Sequence, residues 1–269
     1  MLDYHLHTER CCHATGSVEE YLAVAEEKKI AEIGFADHFP LDMLGFSPRL
    51  QVTMGGDELT AYISQVEELN KCSNAVAVRT GIEVDYIPGT EEKLNSLLKE
   101  YSFDYVIGSI HFMGDWDFTH PVYAEDFNSR NLDSVYRTYY EMVWDLCRCG
   151  LFDIIGHIDV VKKFGYQPGG SLEPYWIETA RILRETATCF ELNTAGRDAP
   201  VGEFYPGKRF LEICFAEGVA VTLGSDAHAP GQVGRYFPEA LQLLQAVGYR
   251  ELAAFKKRAR RAVPLNDLK

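Results

Sequence analysis

Apolar positions along the chain switch repeatedly between two periods. Short runs rich in β-branched and aromatic residues, which suit strands, alternate with longer stretches whose apolar residues recur every three or four positions, which suit helices. Leu2–His5 opens the series as a strand. Ser17 then starts a helix, because Glu20 three residues later completes a capping box. Ile33–Asp37 reads as the second strand, and Asp57–Cys72 carries helical spacing at Leu59, Ile63, Val66 and Leu69. The strands Ala75–Glu83, Tyr105–Ile110, Phe152–Ile155, Cys189–Asn193 and Val219–Gly224 follow. Between and after them, Glu91–Lys99, Leu132–Cys149, Glu173–Thr186, Gly207–Glu217 and Pro238–Val247 read as helices. The tail Glu251–Arg261 reads as a basic amphipathic helix.

Strands that alternate with helices from end to end predict an α/β fold with a parallel sheet, helices covering its faces. An open sheet and a closed barrel both satisfy that pattern. No GxGxxG or P-loop follows the first strand, which weighs against a nucleotide-binding open sheet. No internal repeat or low-complexity linker divides residues 1–269, so one domain is expected. The long connections Phe39–Gly56, His111–Asn131 and Thr194–Pro206 are of a length that usually carries function.

Composition narrows the field. Of the 269 residues, 46% are hydrophobic, enough for a sizeable core. The excess of 40 acidic over 26 basic residues gives a net charge of −14, which repels a nucleic-acid backbone. A small anionic substrate still fits if a local positive centre overrides that field. No apolar run approaches the roughly 18 residues of a membrane span. Met1–His5 has neither the basic nor the apolar region of a signal peptide, so a cytoplasmic location without membrane partners is the expectation. The seven cysteines form no CxxC pair, which fits reduced thiols. Nothing in the pattern indicates an oligomeric state.

The histidines carry the chemistry through their positions. His5 and His7 lie at the end of strand one, His38 ends strand two and Glu83 ends strand three. His111 follows strand four, His157 follows strand five, and Asp226 with His228 follows strand seven. His13 lies just beyond strand one. Strand side chains alternate, so His5 and His7 point the same way, as do Asp226 and His228. Each residue alone has an ordinary reading as a turn histidine, a solvated carboxylate or a satisfied core histidine. Metal-binding side chains at the ends of six of the seven predicted strands are harder to assign to accident, because barrel active sites form at that face.

Imidazoles with few carboxylates suit zinc, iron or manganese better than magnesium or calcium. His5, His7, His13, His38, Glu83, His111, His157, Asp226 and His228 exceed one tetrahedral shell, so two or three divalent ions are implied. Such a centre is locally positive and can hold a phosphate dianion within an acidic protein. His120 lies mid-loop and is left outside this set. Cys11 and Cys12 sit beside His13, but the nitrogen and oxygen ligands already suffice.

These stretches resemble the successive motifs of the polymerase and histidinol phosphatase (PHP) superfamily. They are Asp3-Tyr-His-Leu-His-Thr8 with His13, Ala36-Asp-His38, Gly81-Ile-Glu83, Gly108-Ser-Ile-His111, Gly156-His-Ile-Asp159 and Gly224-Ser-Asp-Ala-His228. The resemblance implies a distorted (β/α)7 TIM-like barrel. Further stretches resemble its histidinol-phosphate phosphatase branch: Asp37-His-Phe-Pro40, Gly81–Tyr86, Gly108–Pro121, Gly156–Phe164, Glu191–Arg197 and Glu203–Pro206.

The implied activity is hydrolysis of L-histidinol phosphate to L-histidinol and phosphate, a step of histidine biosynthesis. By the same resemblance one ion would be held by His5, His7, Glu83 and Asp226, and a second by Glu83, His111 and His157. His13, His38 and His228 would hold a third. Glu83, Asp226 and His228 are the catalytic candidates, with water activated by metal as nucleophile and no protein nucleophile. Arg197 is the candidate phosphate clamp, and Lys162 or Lys163 a candidate point charge. A solvated helix start is the ordinary reading of the two lysines. Asp198 is a candidate to assist the leaving group, and Tyr86, Phe112, Trp116 and Asp117 are candidates to read histidinol. Two other activities compete: a PHP phosphoesterase acting on nucleotides or other phosphate esters, and a non-catalytic PHP regulatory domain, against which the complete ligand set argues.

Overall fold

The computed structural model describes residues 1–268. The chain opens with β1 (Leu2–Leu6), α1 (Val18–Glu27), β2 (Glu32–Phe35), α2 (Leu59–Cys72), β3 (Ala77–Asp85), α3 (Glu91–Leu98) and β4 (Tyr105–Ser109). A small antiparallel pair, β5 (Phe112–Met113) and β6 (Trp116–Asp117), interrupts the alternation before α4 (Leu132–Arg148). Then come β7 (Ile154–Ile155), α5 (Glu173–Glu185), β8 (Cys189–Asn193), α6 (Lys208–Ala216), β9 (Val221–Gly224) and α7 (Phe237–Val247).

Seven of the strands form one parallel sheet in the order β1-β2-β3-β4-β7-β8-β9. The sheet curls until its ends nearly meet. Leu6 pairs in parallel with Ala227, His7 N donates to Ala227 O at 2.9 Å, and Ala227 N donates to His5 O at 3.1 Å. The alternation left an open sheet and a closed barrel equally possible; the structure is the distorted seven-stranded α/β barrel that the family resemblance implied. Closure explains why the strands are buried throughout rather than on alternate positions: every residue of β1, β2, β4, β8 and β9 is buried. The capping box at Ser17 is present in both directions, Ser17 N to Glu20 Oε2 at 2.7 Å and Glu20 N to Ser17 Oγ at 3.3 Å.

The tail is a hairpin and not a helix. β10 (Glu251–Lys256) pairs antiparallel with β11 (Ala259–Pro264) across a two-residue turn in which Lys257 and Arg258 both have positive φ. Such turns usually carry Asn-Gly or a similar pair, so Lys-Arg gives no turn signal in the sequence. The conformation is imposed by the N-terminal end of the barrel, which the hairpin covers. Leu252, Ala253, Ala254 and Phe255 are buried there, and Phe255 N donates to Tyr4 Oη at 3.0 Å. The basic residues that suggested an amphipathic face meet strand-start acids instead. Arg261 reaches Glu32 at 2.6 Å, Arg258 pairs with Asp153, and Lys257 N donates to Asp104 at 2.9 Å.

With one end covered, the opposite, C-terminal mouth is left for the site. Phe255→Ala should destabilise the protein by about 3–5 kcal/mol, because a large buried ring is removed from a sealed end. Arg260→Ala, on the exposed strand, should cost under about 1 kcal/mol. Urea denaturation of both variants measures the difference, and equal losses would argue against the hairpin as a seal.

Candidate metal centre

Glu83 is the hub of the mouth. It sits near the end of β3, is 1% exposed, and is surrounded by five imidazoles from four different segments. Its Oε2 lies 3.3 Å from His5 Nε2, 3.6 Å from His7 Nε2 and 3.1 Å from His38 Nδ1. Its Oε1 lies 2.9 Å from His157 Nε2 and 3.7 Å from His111 Nε2, and accepts from Ser109 Oγ at 2.6 Å. Asp226 faces the same space, 3.2 Å from His7 Nε2 and 3.9 Å from His5 Nε2. His13 and His228 meet at the rim, Nε2 to Nε2 at 3.0 Å. The strand ends thus bring together every member of the sequence-derived ligand set.

Backbone geometry at the mouth is special in two places. Asp226 has φ 51° and His157 φ 21°, conformations that persist only when the surroundings over-determine them. His157 N donates to Glu191 Oε2 at 2.8 Å, and Asp226 O accepts from Arg235 Nη2 at 2.9 Å. Gly224 is required for a different reason. A Cβ there would lie 1.7 Å from Glu191 Oε1 and 2.7 Å from His5 Cβ, so β9 approaches β1 and β8 closely only without a side chain.

The imidazoles are oriented from behind by residues that the pattern of strand ends does not single out. Glu191, 1% exposed on β8, accepts from His5 Nδ1 at 2.8 Å. Asp85 takes His111 Nδ1 at 2.8 Å, and the Cys11 carbonyl takes His13 Nδ1 at 2.7 Å. Asp37 binds Thr8 and lies 3.7 Å from His7 Nδ1. With one ring nitrogen engaged outward, the other is presented to the mouth, the usual support of metal-binding histidines. Besides opening the Glu191–Arg197 stretch, Glu191 is marked in the sequence as a charged residue inside the apolar run of β8.

Several buried atoms facing the centre, among them His5 Nε2, His7 Nε2 and Glu83 Oε2, have no hydrogen-bond partner. Buried polar atoms left this way call for a ligand. The donor sets His5–His7–Glu83, His5–His157–Asp226 and His7–His38–His228 each offer ligand atoms within 4.8 Å of one another. Cys11 also falls in such a set with His13 and His228, but burial pushes its thiol pKa up, which disfavours the thiolate a metal needs.

The electrostatics point the same way. Burial opposes charge on both carboxylates, yet the surrounding imidazoles hold Glu83 and Asp226 well below the ordinary carboxylate range. Burial likewise opposes charge on the imidazoles, but carboxylates win at three of them. His5 is raised well above its ordinary value by Glu191, Glu83 and Asp226. His7 is raised to about 9, chiefly by Asp226 and Asp37, and His111 to about 9, chiefly by Asp85 and Glu83. His38 and His228 are pushed well below theirs by burial and by neighbouring imidazoles. The cage therefore favours cations, and protons fill that role when no metal does.

A cavity of about 390 Å³ opens above this centre, lined by His13, His38, Glu83, His111, His157, Asp226 and His228 together with Phe112, Asp117, Lys163 and Tyr205. The structure separates the two lysines. Lys163 lines the cavity, its Nζ donating to Thr119 O at 2.8 Å. Lys162 is buried in an ion pair with Asp159 at 3.1 Å and Glu203 at 2.9 Å, away from the cavity wall. Arg197 is exposed and donates to Gly202 O at 2.9 Å, so it does not reach the cavity in this conformation. Asp198 is engaged by Arg235 at 2.9 Å and by Tyr236 at 2.5 Å. Of the candidate substrate readers, Phe112 and Asp117 line the cavity. Tyr86 instead bonds Glu91, and Trp116 packs beneath Arg130. His120, left out of the ligand set, lines the cavity wall and accepts from Val122 N at Nδ1.

Comparison with known proteins adds an independent line. A family model described as "PHP domain" matches residues 3–195. The "Probable histidinol-phosphatase" of Deinococcus radiodurans is 36% identical over 255 residues, covering 93% of this chain and 95% of that protein. The histidinol-phosphatase of Bacillus subtilis strain 168 is 26% identical over 262 residues, covering 89% and 98%. Among solved structures, the histidinol phosphate phosphatase of Lactococcus lactis, complexed with Zn, L-histidinol and phosphate, superposes with a TM-score of 0.80 at 21% identity, covering 97% of this chain and 98% of that one. At that identity the likeness speaks for the fold.

The raised imidazoles set a pH dependence for metal uptake. A ligating imidazole must be neutral, so a metal held by His7 and His111 would have to displace the protons that those rings carry below about pH 9. Manganese affinity should climb with pH, about tenfold per unit for each proton displaced, and flatten near pH 9. Calorimetric titration in buffers of different ionisation heat measures the protons released. Uptake without proton release between pH 7 and 8.5 would contradict the charge assignment.

Proposed function

The chain belongs to the PHP domain family, and from that premise we propose that it is a metal-dependent phosphomonoesterase that hydrolyses L-histidinol phosphate to L-histidinol and inorganic phosphate. The observation that carries this reading is the buried Glu83 hub with eight further ligand-capable side chains converging on one barrel mouth below a cavity. We assign two or three divalent ions, zinc, iron or manganese, to that mouth. His5, His7, Glu83 and Asp226 would hold one, Glu83, His111 and His157 a second, and His13, His38 and His228 the third. When bound, such ions supply Lewis acidity that activates water near neutral pH and neutralises phosphate charge.

The chain's own residues do the rest. Lys163 places an ammonium group in the cavity wall, where burial lowers its pKa and an arriving phosphate dianion provides the counter-charge. We therefore assign the point-charge role to Lys163 over Lys162. Arg197 serves as a clamp only if its loop turns inward from Gly202. Glu191 and Asp85 keep His5 and His111 in one orientation, so the ligands need not reorganise between turnovers. Phe112 and Asp117, both on the β5–β6 pair, line the cavity, and we assign them contact with the leaving group.

Among the described residues no helix is long and apolar enough to cross a membrane, and all seven cysteines are free thiols. Those thiols favour a cytoplasmic location.

Histidinol phosphate should show a higher kcat/KM than AMP, p-nitrophenyl phosphate or phosphoserine, since the ions serve any phosphomonoester and only leaving-group contacts discriminate. Lys163→Ala should lower kcat/KM about tenfold or more on all four alike, because it touches what they share. A phosphate-release assay on metal-replete protein measures both. AMP as the better substrate by an order of magnitude would overturn the histidinol assignment.

A further inference from the structure

Tyr205 stands out among the residues around the cavity. It is 3% exposed, yet its hydroxyl has no hydrogen-bond partner, and the residue lines the cavity over the metal-binding mouth. Leaving a buried hydroxyl unsatisfied costs on the order of 1–3 kcal/mol, so a phenylalanine would suit this position better if packing were its only task.

The residue is held from three sides. Its backbone pairs with the end of β8 in both directions, Asn193 N to Tyr205 O at 2.7 Å and Tyr205 N to Asn193 O at 3.0 Å. The Asn193 side chain in turn reaches Glu191 Oε2 at 3.0 Å and Asp226 Oδ2 at 3.4 Å, so this attachment is one residue removed from a candidate ligand. The ring packs on Gly196, where a Cβ would lie 2.9 Å from the Tyr205 Cζ and 2.1 Å from the Glu203 carbonyl oxygen. Lys162 Nζ stands 5.7 Å from the ring centroid. Lys162 is itself fixed there by its ion pairs with Asp159 and Glu203, outside the cavity. Burial also keeps the phenol in its neutral, donating form.

We propose that the Tyr205 hydroxyl is a catalytic hydrogen-bond donor to a non-bridging oxygen of the phosphoryl group. The proposal rests on the phosphomonoesterase reading above and adds a residue to it. The hydroxyl donates a hydrogen bond without giving up its proton, so the balance of the reaction is unchanged: the P–O bond to the leaving group breaks as the bond to the water oxygen forms, and a proton from that water ends on the leaving alcohol oxygen. A donor fixed in a buried wall needs no reorganisation when charge builds on the phosphoryl oxygens. Because the phosphoryl group is common to all phosphomonoesters, the contribution is independent of the leaving group.

The test is Tyr205→Phe in the metal-loaded enzyme, with three measurements. kcat should fall about ten- to hundred-fold on histidinol phosphate and on p-nitrophenyl phosphate alike, with KM changed much less. The inhibition constant of vanadate, which mimics the trigonal phosphoryl group, should rise by a comparable factor. The melting temperature should stay level or rise, because an unsatisfied buried hydroxyl has been removed. A lowered melting temperature with kcat and vanadate inhibition within twofold of wild type would assign Tyr205 a structural role and overturn the proposal. Loss confined to histidinol phosphate would overturn it too, by moving the contact to the leaving group. If the wild type prefers another phosphomonoester, the histidinol reading fails. The same comparison on that ester and vanadate still decides the role of Tyr205.

Discussion

A carboxylate buried inside a protein has to be answered by positive charge, and most of the mouth of this barrel is organised around that requirement at Glu83. In a low-dielectric site an isolated carboxylate would take up a proton or destabilise the fold. Here the anion is kept by imidazoles from β1, from the ends of β2 and β7 and from the segment after β4. Those imidazoles are in turn supported by Glu191, Asp85 and Asp37. The result is a shell of carboxylates around imidazoles around one carboxylate, with more negative than positive groups unless cations enter. Divalent ions satisfy that demand best, because each brings two charges and takes several of the unpartnered nitrogen and oxygen atoms at once.

The barrel supplies the geometry that makes such a cluster achievable. A parallel sheet closed on itself points the C-terminal ends of all its strands at one small region, so residues far apart in sequence converge without a long loop to carry them. Closure at Leu6–Ala227 matters especially, because it brings His5 and His7 against Asp226 and His228. At the opposite end, the Glu251–Pro264 hairpin covers the strand starts and pairs their acids with Arg258 and Arg261. One end of the barrel is thereby spent on stability and the other is free for chemistry.

How much of this could be read from the sequence depended on whether the signal was local. The alternation of strand and helix, the capping box at Ser17 and the placement of His5, His7, His38, Glu83 and Asp226 at strand ends all leave a short-range pattern. The tail left a misleading one: Arg258 and Arg261 read as part of a basic helix face, whereas their partners Asp153 and Glu32 lie more than a hundred residues away. Glu191 was visible as a charged residue in an apolar strand but acquired its meaning only from His5 across the barrel. Lys162 and Lys163 are neighbours of the same type, and only the three-dimensional path of the chain shows which one meets the cavity. Tyr205 gave no signal by residue type, since its value lies in a missing hydrogen bond.

On this view it is the charge of Glu83 that would hold cations together in the mouth. That role is tested most directly by the metal content of wild type and Glu83→Gln, prepared identically without chelators and read by elemental analysis. The amide is nearly the same size and keeps one acceptor oxygen, so the barrel should still fold while the charge and the second anionic oxygen are lost. Wild type should carry about two or three transition-metal ions per chain, and the variant should lack at least one of them. Equal metal content in the two proteins, or none in wild type, would contradict it.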